Sequence, residues 1–313
     1  MCYATIVTAV RNNEANKKII AALIKVSFLT TRILRKRLKG ESMSVKQHYR
    51  TVWLSDIHLG CKDCKAEFLL DFLENTTIDT LFLVGDIVDL WALTRQFHWP
   101  PLHNKLFHKL LSLPESGTRV VYLPGNHDEP AQQYDDMSFG DVEIHREYIH
   151  TTATGKKLLL LHGDQFDKEV CFGRAHAWIG DKGYELLLFI NRWYNFLRSK
   201  QGYPYRSAAG YIKTRIRGAN EAIDRYRDAA LARAKKMQVD GIVCGHIHHP
   251  EIVEQDGVTY YNDGDWIENC SALTEDASGD IKLVYWTRIH GAQTKAASAL
   301  RLFPKKPKFN KAA

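Results

Sequence analysis

A chain of 313 residues with 45% hydrophobic and 25% charged residues has the make-up of an ordinary globular protein, which argues against disordered and fibrous classes. The formal net charge of +7 and the pI near 9.0 favour anionic partners without choosing among phosphate compounds, nucleic acid and anionic lipid. The six cysteines, Cys2, Cys61, Cys64, Cys171, Cys244 and Cys270, are too sparse for a disulfide framework and read as reduced thiols.

Residues 1–49 read as an extension. Ile19 to Leu38 is apolar with interleaved Lys25, Arg32, Arg35, Lys36 and Arg37, the pattern of a basic amphipathic helix on an anionic membrane surface. Lys25 and Arg32 interrupt it below the roughly 20 apolar residues that a spanning helix needs, and no small-residue cleavage site follows. A helix docked on the domain, or a true start at Met43, remain open alternatives.

The core begins at Thr51, where Val52-Trp53-Leu54 reads as a buried strand ending in Asp56 and His58. Phe68, Leu69, Phe72 and Leu73 have helical spacing within Lys65 to Glu74. Leu81 to Val84 is a second strand, running into Gly85-Asp86. Asp89 beyond it is either a carboxylate that orients a ligand or a solvated loop acid. Trp99-Pro100-Pro101 marks a break before a helix over His103 to Leu113, and His98, His103 and His108 read as surface histidines.

Val120 to Leu123 is the third strand, running into Pro124-Gly125-Asn126-His127-Asp128, with a short helix near Glu129 to Met137 after it. Asp141 to Thr152 and Lys156 to Leu161, turning at Thr154-Gly155, open a second sheet that ends in His162-Gly163-Asp164. Residues 165–238 read almost entirely as helix, first aromatic (Trp178, Phe189, Trp193, Phe196), then basic from Tyr211 to Met237. Such an insertion is either a cap over a site or a helical hairpin packed on the core. Val239 to Cys244, Glu251 to Gln255, Val258 to Tyr261 and Ile281 to Trp286 continue the second sheet, with a hairpin turn at Asp256-Gly257. The basic tail, 291–313, reads as disordered.

Five apolar strands thus end in Asp, Asn or His, usually beside a glycine that lets the backbone turn sharply. In α/β sheets, chemistry collects at those carboxyl ends. Hard oxygen and imidazole donors without thiolate suit Mn²⁺, Fe²⁺ or Zn²⁺. Asp56, His58, Asp86, Asn126, His162, His246 and His248 are too many donors for one ion and fit a two-ion hydrolase site. Cys61-x-x-Cys64 has no second pair to complete a zinc site and reads as incidental.

The ordered set D-x-H, G-D, G-N-H-D, H-G-D and G-H-x-H over about residues 50–288 resembles the calcineurin-like metallophosphoesterases. SDIHLG, LVGDIVDLW, PGNHDE, HGDQFD, CGHIHH and NDGDW are similar to the UDP-2,3-diacylglucosamine pyrophosphatase group of that family, although His127 stands where that group has arginine. The resemblance implies an α/β fold, a four-layer α/β/β/α sandwich over residues 50–290 with a helical cap at about 165–238. It implies two divalent ions, Mn²⁺ first, held by Asp56, His58, Asp86 and His248 and by Asp86, Asn126, His162 and His246, with Asp86 bridging. His127 would then be catalytic, with Asp128 holding its imidazole. The implied reaction is hydrolysis of UDP-2,3-diacylglucosamine to UMP and 2,3-diacylglucosamine 1-phosphate, a lipid A step at the cytoplasmic face of the inner membrane. Its partners would be a phosphate-bearing glycolipid and an anionic membrane surface, not nucleic acid. The rival readings are another phosphomonoesterase or phosphodiesterase and a non-catalytic scaffold, and the full set of donors speaks against the scaffold.

Overall fold

The computed structural model of the chain describes residues 46–167 and 217–287, together with most of 188–207. The expected amphipathic segment at Ile19 to Leu38, the start at Met43, and the tail 291–313 lie outside the described residues.

Two sheets carry the fold. The first holds β1 (Gln47–Leu54), β2 (Thr76–Val84), β3 (Arg119–Leu123), β4 (Met137–Phe139), β5 (Val142–Ile144), β11 (Ser271–Glu275) and β12 (Ile281–Tyr285), in the order β12-β11-β1-β2-β3-β5-β4. The second holds β6 (Tyr148–Thr151), β7 (Lys157–Leu160), β8 (Gly241–Cys244), β9 (Glu251–Gln255) and β10 (Val258–Asn262), in the order β6-β7-β8-β10-β9. The parallel run β1-β2-β3-β5 and the parallel trio β7-β8-β10 form the two centres.

Strand alternation explains why these runs look continuously apolar. Trp53, Phe82, Val84, Val121, Leu123 and Leu273 face Leu158, Leu160, Val243 and Tyr261 between the sheets. Their neighbours Val52, Leu54, Leu81, Leu83 and Val120 point the other way, onto α1 (Ala66–Asn75) and α3 (Pro101–Ser112). On the second sheet, Leu159, Ile242 and Cys244 point outward against Tyr226, Ala230, Leu231 and Ala234 of α4 (Arg217–Met237). The inner face of each sheet is covered by the other sheet and much of each outer face by helices, so the central strands need apolar side chains on both faces. The layers are helix, sheet, sheet, helix, as the motif pattern implies.

Four expectations are corrected. Ile281–Tyr285 belongs to the first sheet, paired with β11, a strand whose sequence Ser-Ala-Leu-Thr-Glu hides it. Asp141 to Thr152 is not one strand of the second sheet: β5 pairs with β3, and β6 pairs with β7 in the other sheet. Glu129–Tyr134 is a 3-10 turn followed by β4, not an α-helix reaching Met137. The insertion is also shorter than 165–238, because α4 lays its apolar stripe on the second sheet as an outer layer. Much of what precedes α4 in that insertion lies outside the described residues.

His103 also departs from expectation. It is 4% exposed, and its Nδ1 accepts a hydrogen bond from Gly60 N at 3.1 Å. Burial, with His98 beside it, pushes its imidazole down to about 4, so it is neutral in the fold. The turn at Asp256-Gly257 is as expected, with both residues at positive φ, which suits a tight hairpin.

Candidate metal centre

The seven proposed donors stand at the carboxyl ends of β1, β2, β3, β7 and β8. Asp56, His58, Asp86, His246 and His248 all have backbone φ between 49° and 68°. For a non-glycine residue that conformation costs about 1–2 kcal/mol. Backbone outliers of this kind cluster at functional sites, where the surrounding structure holds them. Here the hold is visible: Asp56 N donates to Gly85 O at 3.1 Å, and His58 N donates to Asp86 O at 2.9 Å. Gly85 is required beside them, because a Cβ there would overlap the His162 ring.

Each key carboxylate is held by one oxygen and aims the other inward. Asp56 Oδ2 accepts from Ser55 Oγ at 2.6 Å and His246 N at 2.8 Å. Its Oδ1 lies 3.2 Å from His248 Nε2 and 3.7 Å from His58 Nε2. Asp86 Oδ1 accepts from His127 N at 2.8 Å. Its Oδ2 lies 3.3 Å from His162 Nε2, 3.7 Å from His58 Nε2 and 3.9 Å from His127 Nε2. Asp86 therefore sits between the Asp56–His58–His248 group and the Asp86–His162–His246 group, in each of which the donor atoms lie within 4.8 Å of one another.

The histidines are aimed in the same way. His162 Nδ1 lies 2.9 Å from Val84 O, so it carries the proton and leaves Nε2 as a bare acceptor. His58 Nδ1 lies 3.2 Å from Asp89 Oδ2, with the same consequence. His246 Nε2 lies 2.7 Å from Asp167 Oδ1. A carboxylate or carbonyl behind each ligating imidazole is the usual support of a metal site.

The fit to divalent cations can be tested on the buried atoms. Asp56 Oδ1, His58 Nε2, Asn126 Oδ1 and His162 Nε2 are buried without a hydrogen-bond partner, and all four belong to the proposed donor set. A buried polar group without a partner costs about 1–3 kcal/mol, so Asp56 Oδ1, His58 Nε2 and His162 Nε2, which meet around Asp86, call for an occupant. Electrostatics gives its sign. Burial alone would raise the Asp56 and Asp86 carboxyls, but the histidines around them outweigh it and hold both well below the usual range. Burial would likewise lower His58 and His162, yet contacts with Asp56, Asp89 and Asp86 push both imidazoles well up. The centre attracts positive charge, and the donor set fits divalent metal ions.

His127 stands at the mouth with its side chain 24% exposed. Its Nδ1 lies 2.9 Å from Asp89 Oδ1, and its ring stacks at 4.2 Å on the indole of Trp91. Asp89 thus orients both His58 and His127, and also caps α2 (Leu90–Arg95) through Ala92 N at 2.7 Å. This corrects the expectation that Asp128 holds the His127 imidazole. Asp128 instead accepts from the backbone N–H groups of Gly125 at 2.5 Å, Asp86 at 3.2 Å and Ile87 at 2.8 Å. It ties the second and third strand-end loops together.

Sequence reasoning missed Asp263. Ser55 Oγ lies 2.6 Å from Asp56 Oδ2 and 2.7 Å from Asp263 Oδ1. One hydroxyl proton cannot serve two carboxylates. Burial, with the Asp56 charge, pushes the Asp263 carboxyl well up. The Asn-Asp-Gly-Asp-Trp stretch at 262–266 was the available signal. Among the described residues, no cysteine joins a metal-ligating group, and burial pushes the Cys61 and Cys64 thiols up, which makes them inert.

Residues 49–250 match the profile of the calcineurin-like phosphoesterases. The chain is similar to the UDP-2,3-diacylglucosamine hydrolase of Psychromonas ingrahamii, 27% identical over 241 residues, which covers 71% of this chain and 91% of that one. The protein of the same name from Haemophilus influenzae is 23% identical over 237 residues, covering 74% of this chain and 97% of that one. Among solved structures, a Vps29 single mutant from Entamoeba histolytica matches at a TM-score of 0.37 with 14% identity, covering 75% of this chain and 97% of that one. That score adds nothing to the topology described above.

Proposed function

Since the chain belongs to the calcineurin-like phosphoesterase family and is a metal-dependent hydrolase, we propose that it hydrolyses the pyrophosphate of UDP-2,3-diacylglucosamine to UMP and 2,3-diacylglucosamine 1-phosphate. Asp56, His58, Asp86 and His248 would hold one ion, and Asp86, Asn126, His162 and His246 the other, with Asp86 common to both. The observation that carries the two-ion reading is the meeting of three unpartnered buried donor atoms, Asp56 Oδ1, His58 Nε2 and His162 Nε2, around Asp86. Mn²⁺ is the proposed metal, because oxygen and imidazole donors without thiolate suit it.

When bound, divalent ions would supply Lewis acidity that makes water a nucleophile near neutral pH and offsets charge on the phosphate oxygens. The chain's own residues do the rest. Asp89 fixes the His127 ring by Nδ1 and leaves Nε2 on the side of Asp86, where the doubly protonated ring would give its Nε2 proton to the departing phosphate oxygen. Trp91 covers one face of that ring and keeps it from turning away. Asp128 fixes the loop on which His127 stands.

The lipid part of the proposal is supported by the segment before α4. Ile190, Trp193, Phe196 and Leu197 are each at least 43% exposed and recur at helical spacing. Tyr205 anchors this segment to the metallophosphoesterase domain, donating from its hydroxyl to Ile267 O at 3.3 Å and packing on Phe68. An exposed apolar helix face beside the centre suits a cap that receives acyl chains and touches a membrane surface. Among the described residues, no helix is long and apolar enough to cross a membrane. We place the protein at the cytoplasmic face of the inner membrane, on an anionic surface, because the substrate is there.

The test is UMP release from UDP-2,3-diacylglucosamine by purified, Mn²⁺-loaded protein, with Asp86→Ala as control. Release that disappears in the variant is the expected result. Metal-dependent cleavage of a generic phosphodiester without UMP release would keep the centre and discard the substrate. His127, where the pyrophosphatase group has arginine, is the feature that favours that second outcome.

A further inference from the structure

A cavity lies on the helical face of the first sheet, behind the strand-end loops, where Ile87, Leu90 and Asp128 line it. Its volume is about 350 Å³. Leu83, Val120 and Val142 form its floor, and Phe107 and Leu111 of α3 form one wall. Its origin is topological. A parallel strand pair is usually joined through a helix that covers the sheet. The β3-to-β5 crossover instead uses a 3-10 turn over Glu129–Tyr134 and the short β4, so the apolar face of β3 and β5 is only partly covered. Natural interiors have few voids larger than a water molecule, so this space is not ordinary packing.

We propose that this cavity binds a single alkyl chain whose head group carries no net negative charge. Three observations choose the occupant. The volume is more than twice that of the roughly 150 Å³ apolar cavity that takes benzene, yet a helix about 10–12 Å across does not fit it. The lining offers no free charge: its one ionisable acid, Asp128, accepts from three backbone N–H groups. Finally, the crossover from Glu129 to Ile144 carries Glu129, Asp135, Asp136, Asp141 and Glu143 and no lysine or arginine. Tyr134 and Met137, which line the cavity, are 45% and 56% exposed and form an apolar lip amid those carboxylates. Glu143 is paired with Arg119, so Glu129, Asp135, Asp136 and Asp141 are the carboxylates that disfavour an anionic head there. Binding of an alkyl chain there does not rest on the proposed reaction.

The experiment is calorimetric titration of the full chain with alkyl maltosides from hexyl to dodecyl, each below its micelle threshold. Affinity is expected to rise about fourfold for each added methylene and to level off once the cavity is full. Ala131→Phe and Ser138→Phe fill the space from two positions and are expected to weaken binding at least tenfold. Unfolding midpoints at or above that of the unaltered chain show that the variants fold. Alkanoates of equal length are expected to bind at least tenfold more weakly than the maltosides. Absence of saturable binding, a chain-length series that never levels, or unchanged binding in both filled variants would overturn the proposal. Alkanoates binding as well as maltosides would overturn its head-group assignment. A concentration-dependent dimer that the filled variants abolish would assign the cavity to a second copy instead.

Discussion

Asp89 shows how much one side chain can organise. Its two oxygens lie 2.9 Å from His127 Nδ1 and 3.2 Å from His58 Nδ1, and one of them also caps α2. Loss of a carboxylate behind a ligating histidine typically costs 10–100-fold in metal affinity or activity. Asp89→Asn is therefore expected to lower kcat by about 10–100-fold and to weaken metal binding, measured by turnover and by metal titration of the stripped protein. His127→Ala is expected to lower kcat with metal affinity intact, because His127 is not in the proposed donor set. A matching loss of metal would show that it is a ligand. At this scale the sequence was informative about donors and less so about supports. Asp56, His58 and Asp86 announce themselves beside glycine at strand ends. The partner of His127 was misassigned to the adjacent Asp128, because sequence adjacency says nothing about which way a carboxylate turns.

At the scale of elements, Glu275 ties the two sheets together. From β11 it accepts from Thr51 Oγ1 of β1 at 2.6 Å, Arg50 Nη1 at 2.7 Å and Ala153 N at 2.6 Å, and His150 of β6 stands 3.6 Å away. Burial would raise its carboxyl, but these donors outweigh burial and hold it down to about 2. A depressed folded-state value means stability that is present above the ordinary value of 4.5 and lost as pH falls toward about 2. Glu275→Gln is expected to cost about 1–3 kcal/mol at neutral pH by leaving buried donors poorly matched. The gap between the two proteins should close between about pH 4.5 and 2, read from urea unfolding midpoints across that range. A gap independent of pH would mean that packing, not charge, does the work. β11 is also the strand that sequence pattern did not reveal. Its polar residues satisfy cross-strand and cross-sheet partners, so it lacks the apolar run by which β1, β2 and β3 are recognised.

For the whole molecule, metal and fold are linked. The four unpartnered buried atoms are a cost that a bound ion would relieve, and the backbone cost of the five left-handed residues is one that ligation would offset. Stripping the protein with a chelator is expected to lower its Tm, and adding Mn²⁺ back to restore it. The gain should be about 2.7 kcal/mol at a hundredfold excess over Kd. A Tm indifferent to metal would separate the centre from stability. The apolar strands that end in Asp, Asn or His, and the helix-strand alternation, were legible in the chain itself, because buried parallel strands demand apolar residues and sharp turns demand glycine. Those local rules pointed to the α/β class, a second sheet and the candidate donors, while the four-layer sandwich and the division of the donors between two ions are what the family resemblance implies. Which sheet β12 joins, which carboxylate turns to His127, that His103 is buried, and that α4 covers the second sheet were decided only in three dimensions. So was the space left uncovered at the β3-to-β5 crossover. Each depends on which distant surfaces meet, and a run of residues read in order carries the chemistry of its side chains but not the identity of their neighbours.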